Sequence, residues 1–276
     1  MVETGCFNKL KVIREVDFGV YLEGGSEGGI LLPKPEVPEG TRLGDRLQVF
    51  VYLDSDDMPV ATLRRPRVQL GQFASLKVVD VNRVGAFLDW GLPKDLFLPF
   101  NEQVKPLNIG DYVTVYVYMD NTNRIAATAK LEKHLDSEAV FTQGQLVELL
   151  VIRPTEIGYQ VIIDNCALGL LHRQDIHRPV RPGQRLPGFI KQVRDEDGKI
   201  DVMLEKPGYA RIDPLAQQVL KYLQSRDGFC SLGDKSDPEA IRELFGVSKK
   251  AYKMAIGQLM KAGRIRQDAE GIHLLD

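Results

Sequence analysis

The sequence predicts a mostly β chain in which three small five-stranded barrels follow one another and a compact α+β domain completes the C-terminal end. Three observations predict it: the chain repeats itself twice, the repeated stretch alternates apolar and polar residues as strands do, and the tail changes to helical spacing. At 276 residues the chain exceeds one small module and suits two to four domains, each able to bury its own core.

A shift of 66 places lays Phe18-Gly19-Val20-Tyr21-Leu22 on Val84-Gly85-Ala86-Phe87-Leu88 and Gly44-Asp45 on Gly110-Asp111. Without a gap it also sets Val49, Val51 and Asp54 on Val115, Val117 and Asp120, and Ala61-Thr62 on Ala127-Thr128. A third copy lies 73 places further on, with Ile157-Gly158-Tyr159 on the second glycine strand and Gly183-Gln184 on Gly110-Asp111. Inside each unit the apolar residues alternate, as in Val113, Val115, Val117 and Met119, and Gly, Pro and Asn/Asp turns separate the runs. Asp120 to Arg124 reads as a hairpin loop whose second strand is Ile125 to Ala129. Five such strands make a small closed barrel of the oligonucleotide-binding (OB) type, and closure removes the exposed sheet edges that invite aggregation.

The tail reads as a winged helix. Asp213-Pro214 starts a helix, the aspartate as N-cap and the proline at the first helical position, followed by Leu215, Val219, Tyr222 and Leu223. Asp237-Pro238 starts a second, carrying Ile241, Leu244 and Phe245 and stopped by Gly246, and Ser248 caps a third with Tyr252, Ala255, Ile256 and Leu259 on its apolar side. Arg264-Ile265-Arg266 and Ile272-His273-Leu274 flank Gln267 to Gly271 as a terminal hairpin. The expected domains are 1–70, 71–143, 144–208 and 209–276.

Composition limits the function classes. With 36 Lys+Arg against 38 Asp+Glu the net charge is -2, so any polyanion site must be local. Three widely spaced cysteines, Cys6, Cys166 and Cys230, fit a reducing cytoplasm better than a disulfide framework, and neither an export signal nor a membrane span is expected. Single-stranded nucleic acid is held by flat aromatic faces with donors nearby, each stacked base contributing about 1–3 kcal/mol. Phe18 and Tyr21 stand three apart across Gly19, and in a straight strand they point to opposite faces unless the glycine lets the chain bend; the plain alternative makes one of them core.

Other signals carry less. The run Gly24-Gly25-Ser26-Glu27-Gly28-Gly29 lies between two strands and opens no helix, which makes it a barrel loop rather than a phosphate cradle. Cys166, His172 and His177 lack a fourth ligand at a metal-site spacing, so neither metal nor cofactor is expected. The acidic pairs Asp56-Asp57 and Asp195 to Asp197 suit turns, and no base or nucleophile accompanies them, so no catalytic residue is assigned.

The Phe-Gly-x-Phe strand, the Gly-Leu-Val-His strand and a late Asp-x3-Arg hairpin resemble the S1-type RNA-binding domain, named after a ribosomal protein. The first unit carries Phe18, Tyr21 and Asp54, with Leu32 at the histidine place and Met58 at the arginine place. The second carries Phe87, Asp120 and Arg124, with Val84 and Leu98 at the other two, and the third carries His172 in Gly169-Leu170-Leu171-His172 with Tyr159 displaced by one. Three such units and then a winged helix resemble the conserved virulence factor B family of bacterial proteins. That resemblance implies single-stranded RNA as partner, a role in gene expression and no catalytic activity. The residues it assigns to RNA are Phe18, Tyr21, Asp54, Phe87, Asp120 and Arg124, with His172 and Arg194 as auxiliary contacts.

On the winged helix, Lys249, Lys253 and Lys261 recur at helical spacing with Lys250 beside them, and Arg264 and Arg266 start the wing. The stripe is either a track for phosphates, including those of duplex nucleic acid, or simply a solvated face. The competing reading of the whole chain is a protein-interaction scaffold in which only the winged helix touches duplex nucleic acid. The sequence leaves open whether the ribosome or another protein is a partner.

Overall fold

The computed structural model describes residues 2–25, 28–136, 138–194, 197–205 and 214–275. Two compact units emerge, Met1–Leu204 and Glu205–Asp276. In the first, β1 (Phe7–Val16), β2 (Gly19–Glu23), β3 (Gly29–Pro33), β4 (Arg46–Leu53) and β5 (Pro59–Thr62) close a barrel in the order β1-β2-β3-β5-β4. The second barrel repeats this order with β6 (Phe73–Val81), β7 (Gly85–Asp89), β8 (Leu96–Pro99), β9 (Tyr112–Met119) and β10 (Ile125–Thr128). The third does so with β11 (Leu146–Pro154), β12 (Gly158–Ile163), β13 (Ala167–His172), β14 (Arg185–Val193) and β15 (Ile200–Met203). These are the three OB-type barrels the repeat predicts. Alternation fills them: in the first, Leu10, Val12, Ile30, Leu32, Val49 and Val51 turn inward and are buried.

The glycine that the repeat reveals has a steric cause. A Cβ on Gly19, Gly85 or Gly158 would lie 2.2, 2.3 or 2.0 Å from the carbonyl oxygen of Leu32, Leu98 or Leu171. Only a residue without a side chain lets the second strand of each barrel close on the third. The strand register also corrects one alignment. Opposite those glycines stand Pro33, Pro99 and His172, so the counterparts of His172 are the two prolines and not Leu32 and Leu98.

The three barrels share apolar surface. Phe50 and Tyr52 of β4 point out of their own barrel and are buried in the core of the second, where Phe50 meets Trp90 edge to face at 5.8 Å between centroids. Leu70 N donates to Gly5 O at 2.9 Å across the same seam. Phe73, Leu150 and Ile162 form a small core between the second and third barrels, where Asn165 accepts from Phe73 N at 2.8 Å and donates to Gly71 O at 2.9 Å.

The second unit is a winged helix: α1 (Pro214–Gln224), β16 (Phe229–Cys230), α2 (Pro238–Phe245), α3 (Lys249–Lys261), β17 (Ile265–Gln267) and β18 (Ile272–Leu274), with sheet order β16-β18-β17. Val219, Leu223, Ile241, Phe245, Tyr252, Ala255, Ile256 and Leu259 form its core. Leu244, expected on the apolar side of α2, is exposed, because the stripe of this short helix narrows to Ile241 and Phe245. Ser248 Oγ accepts from Ala251 N at 3.3 Å, and Gly246 ends α2 in the left-handed region at φ 71°, as their residue types require. Asp237 precedes α2 without a side-chain capping bond. The N-cap expected at Asp213 lies outside the described residues, as do Ser26 and Glu27 of the glycine-rich loop and Asp195 of the acidic turn.

Candidate nucleic-acid interface

In the first barrel the bend comes about through two features. A bulge in β1 between Val12 and Arg14 resets the register so that Arg14 faces Tyr21, and Lys34 N donates to Phe18 O at 2.9 Å, holding the chain just before Gly19. Phe18 and Tyr21 therefore meet edge to face, with centroids 6.4 Å apart, and Phe18 is 58% exposed. The Arg14 guanidinium lies over the Tyr21 ring, 4.3 Å from its centroid. Arg14 was not read from the sequence; a bulge that brings it opposite Tyr21 leaves no pattern of its own.

The second barrel has the same bulge between Val78 and Asp80, which places Asp80 opposite Phe87 where the first barrel has Arg14. Half-buried Phe87 packs on Phe97, centroids 5.4 Å apart, and Val84 takes the exposed place of Phe18. Phe97 is a second aromatic that the sequence reading missed. In the third barrel Gln160 stands at the place of Tyr21 and Phe87, opposite Arg153, whose Nε donates to it at 2.7 Å. Tyr159 instead packs against the barrel's own core.

The acidic hairpin residues organise their own turns. Asp54 Oδ1 accepts from the backbone N of Asp56 at 2.9 Å and of Met58 at 3.0 Å. Asp120 Oδ1 accepts from Thr122 N, Thr122 Oγ1 and Arg124 N at 2.8, 2.7 and 2.9 Å. Burial raises the Asp120 carboxyl, but these bonds outweigh it and hold it below the usual carboxylate range. In the third barrel Arg194 N donates to Lys199 O as Asp54 N does to Met58 O and Asp120 N to Arg124 O. Arg194 thus occupies the aspartate place, and Lys199 the arginine place.

Arg124 projects from its hairpin, 59% exposed, and its guanidinium pairs with Asp57 of the first barrel. Lys94 approaches the same carboxylate at 3.5 Å and donates to Asp54 O at 2.5 Å. Around these groups lies a cleft of about 420 Å³ whose walls include Tyr52, Phe87, Trp90 and Phe97.

His172 and Arg194 converge on a residue the sequence reading missed. Asp201 of β15, 2% exposed, accepts from Arg194 Nε at 3.0 Å, Arg194 Nη2 at 2.8 Å and Gln192 Nε2 at 2.8 Å, and its Oδ1 is 2.8 Å from His172 Nε2. Burial raises this carboxyl, yet the bonds from Arg194, Gln192 and His172 overcome it and bring the pKa down to about 2. The signal was an aspartate inside the apolar run Ile200-Asp201-Val202-Met203.

On the winged helix Lys250, Lys253, Lys261 and Arg266 are exposed, and Lys249 and Arg264 half-buried. Lys253 faces Asp234 at 3.7 Å and Arg266 faces Asp268 at 3.2 Å, while Lys249, Lys250, Lys261 and Arg264 enter no ion pair among the described residues. Exposed Gly257 opens a gap in the stripe, since a Cβ there would meet nothing within 4 Å.

Residues 4–64 and 70–130 match the S1 domain family, and residues 217–274 match the CvfB-like winged helix domain. The Bacillus subtilis protein YitL is 32% identical over 94% of this chain and 89% of its own length. Conserved virulence factor B of Staphylococcus epidermidis is 26% identical over 93% of this chain and 90% of its own length. The chain belongs to the conserved virulence factor B family. A Streptococcus pneumoniae structure described as a multidomain protein with nucleic acid binding domains is 28% identical, with 99% of this chain and 98% of that one covered at a TM-score of 0.45. In this virulence factor B family chain, then, two barrels and the winged helix are of nucleic-acid-binding type, and neither matched family is known for enzymes. Among the described residues no three His, Cys, Asp or Glu side chains are grouped to hold a metal ion, and no helix is long and apolar enough to cross a membrane.

Proposed function

We propose that this chain binds single-stranded RNA and acts in the regulation of gene expression without catalysing a reaction. Bases stack on Phe18 and Tyr21 of the first barrel and on Phe87 of the second, with Arg124 on the backbone and His172 and Arg194 of the third barrel as auxiliary contacts. Asp54 and Asp120 serve by shaping the hairpins that flank the platforms. The observation that carries this reading is an accessible aromatic pair on each of two S1-matched barrels, Phe18 beside Tyr21 of β2 in the first and Phe87 of β7 with Phe97 of β8 in the second. Arg14 extends the first platform, because a guanidinium plane layered on Tyr21 offers its outer face to a further base.

The test is the binding of a labelled single-stranded RNA of about 20 nucleotides, a length set by site sizes of roughly 4–16 nucleotides per barrel. The same sequence as duplex DNA serves as comparison, at two salt concentrations. Changing Phe18, Tyr21 and Phe87 to Ala weakens RNA binding by about 1–3 kcal/mol per lost stack. Equal binding by the variant, or a preference for duplex, overturns the reading.

A second reading, a protein-interaction scaffold whose winged helix alone holds duplex nucleic acid, is favoured by one observation. Arg124 and Arg194 already face carboxylates, whereas Lys249, Lys250, Lys261 and Arg264 enter no ion pair among the described residues. It requires a steep salt dependence that the lysine variants abolish and the aromatic variants leave intact.

A further inference from the structure

The cleft between the first two barrels combines features that stacking on a single barrel does not use. Phe87 and Phe97 form one wall, from the second barrel. Tyr52 of the first barrel and Trp90 of the second close the floor, both almost fully buried, and Trp90 Nε1 is held by Lys94 O at 2.6 Å. Two cations, Lys94 and Arg124, stand at the mouth, and both face one carboxylate, Asp57, from the first barrel's β4–β5 hairpin. Asp95 and Asp120 complete the charged lining. At about 420 Å³ the space falls within the range of small-ligand sites.

A carboxylate bridging an arginine and a lysine occupies the position in which those cations would hold a phosphodiester oxygen, since guanidinium and ammonium groups bind carboxylate and phosphate through the same donors. Asp57 is also held at a φ of 59°, in a region that asparagine and aspartate tolerate better than other side chains, so the turn itself presents the carboxylate.

We propose that the cleft between the first and second barrels is a composite nucleotide site. Its base wall is Phe87 and Phe97, its phosphate clamp is Lys94 with Arg124, and Asp57 is an internal anion that a phosphate of single-stranded RNA displaces. The proposal rests on the single-stranded RNA reading above and adds a contact from the first barrel, a cation outside the barrel motifs, and a competitor within the chain. Each nucleotide that enters exchanges one anion for another on Arg124. The exchange lowers affinity and flattens the salt dependence, because the displaced Asp57 carboxylate gathers a cation that offsets the one released from the RNA phosphate.

The experiment uses the full chain and the 20-nucleotide RNA, with Asp57→Asn as the main variant because asparagine keeps the turn. Without the internal anion the RNA binds about 2–5-fold tighter, the equilibrium equivalent of an exposed ion pair. The slope of log affinity against log salt steepens by up to about 0.7 per freed phosphate contact. Lys94→Ala in the Asp57→Asn background removes both gains. Unchanged or weaker binding by Asp57→Asn, with no change in salt slope, overturns the composite site. Phe87→Ala separates the two readings: if it weakens binding while Asp57→Asn does nothing, stacking stands and the composite site falls. If neither variant changes binding, the composite site and stacking on Phe87 both fall.

Discussion

The buried carboxylate of the third barrel gives a prediction whose size follows from its pKa. Asp201 is lowered from 3.8 to about 2, a preference for the ionised form of the folded chain that amounts to about 2.5 kcal/mol at 1.36 kcal/mol per unit. The folded pKa lies below the unfolded one, so the stabilisation is fully present above about pH 5 and is lost as pH falls through the folded pKa. Roughly half of it remains at pH 3. Asn resembles the protonated carboxyl, so Asp201→Asn removes about 2.5 kcal/mol at neutral pH and progressively less in acid. Native-state hydrogen exchange on the β13 and β15 amides, corrected for intrinsic rates, reads this locally as roughly 60-fold faster exchange at pH 7. Protection should converge towards that of the native chain as pH approaches 3. Equal protection at pH 7, or a difference that stays constant with pH, refutes the reasoning that the bonds from Arg194, Gln192 and His172 carry this stability.

Three further outcomes follow from geometry. Gly158→Ala forces a Cβ to 2.0 Å from Leu171 O, and the strand shift it demands should cost about 3 kcal/mol or more, read as a lowered urea midpoint; an unchanged midpoint contradicts the close approach. Ser248→Ala should lower stability by about 1 kcal/mol through loss of the α3 cap, with the deficit confined in exchange experiments to the first turn of α3 and the core beneath it. Changing Lys249, Lys250 and Lys261 together to Ala should reduce the salt slope of duplex DNA binding, by up to about 0.9 for each lysine that touches a phosphate, and leave the slope for single-stranded RNA unchanged.

The barrels were legible because their signals are local and recur: a glycine that only close strand approach explains, alternation along Val113 to Val117, and an Asp-led hairpin at equal spacing. The winged helix was legible from Pro238, Gly246 and Ser248, residues with one dominant structural use each. What escaped was decided by neighbours distant in sequence. Phe50 reads as an ordinary strand residue, yet its burial against Trp90 is what fuses two barrels. Arg14 reaches Tyr21 through a bulge, Lys94 reaches Asp57 across 37 residues of chain, and Asp201 meets Arg194 only when β14 and β15 pair. The one-residue misplacement of the histidine counterpart had a different origin, since the shifts of 73 and 66 places already set His172 on Pro99 and Pro33, the residues that the hydrogen-bond register puts there.

The shared core under Phe50 and Trp90 makes the first two barrels a ruler rather than beads on a string. On the proposed reading of Phe18, Tyr21 and Phe87 as base platforms, the two sites cannot slide apart to suit a ligand, and a single strand adjusts to the interval between them. Nuclease footprints on long transcripts should therefore show paired protected patches at one constant separation, whatever the bases within them.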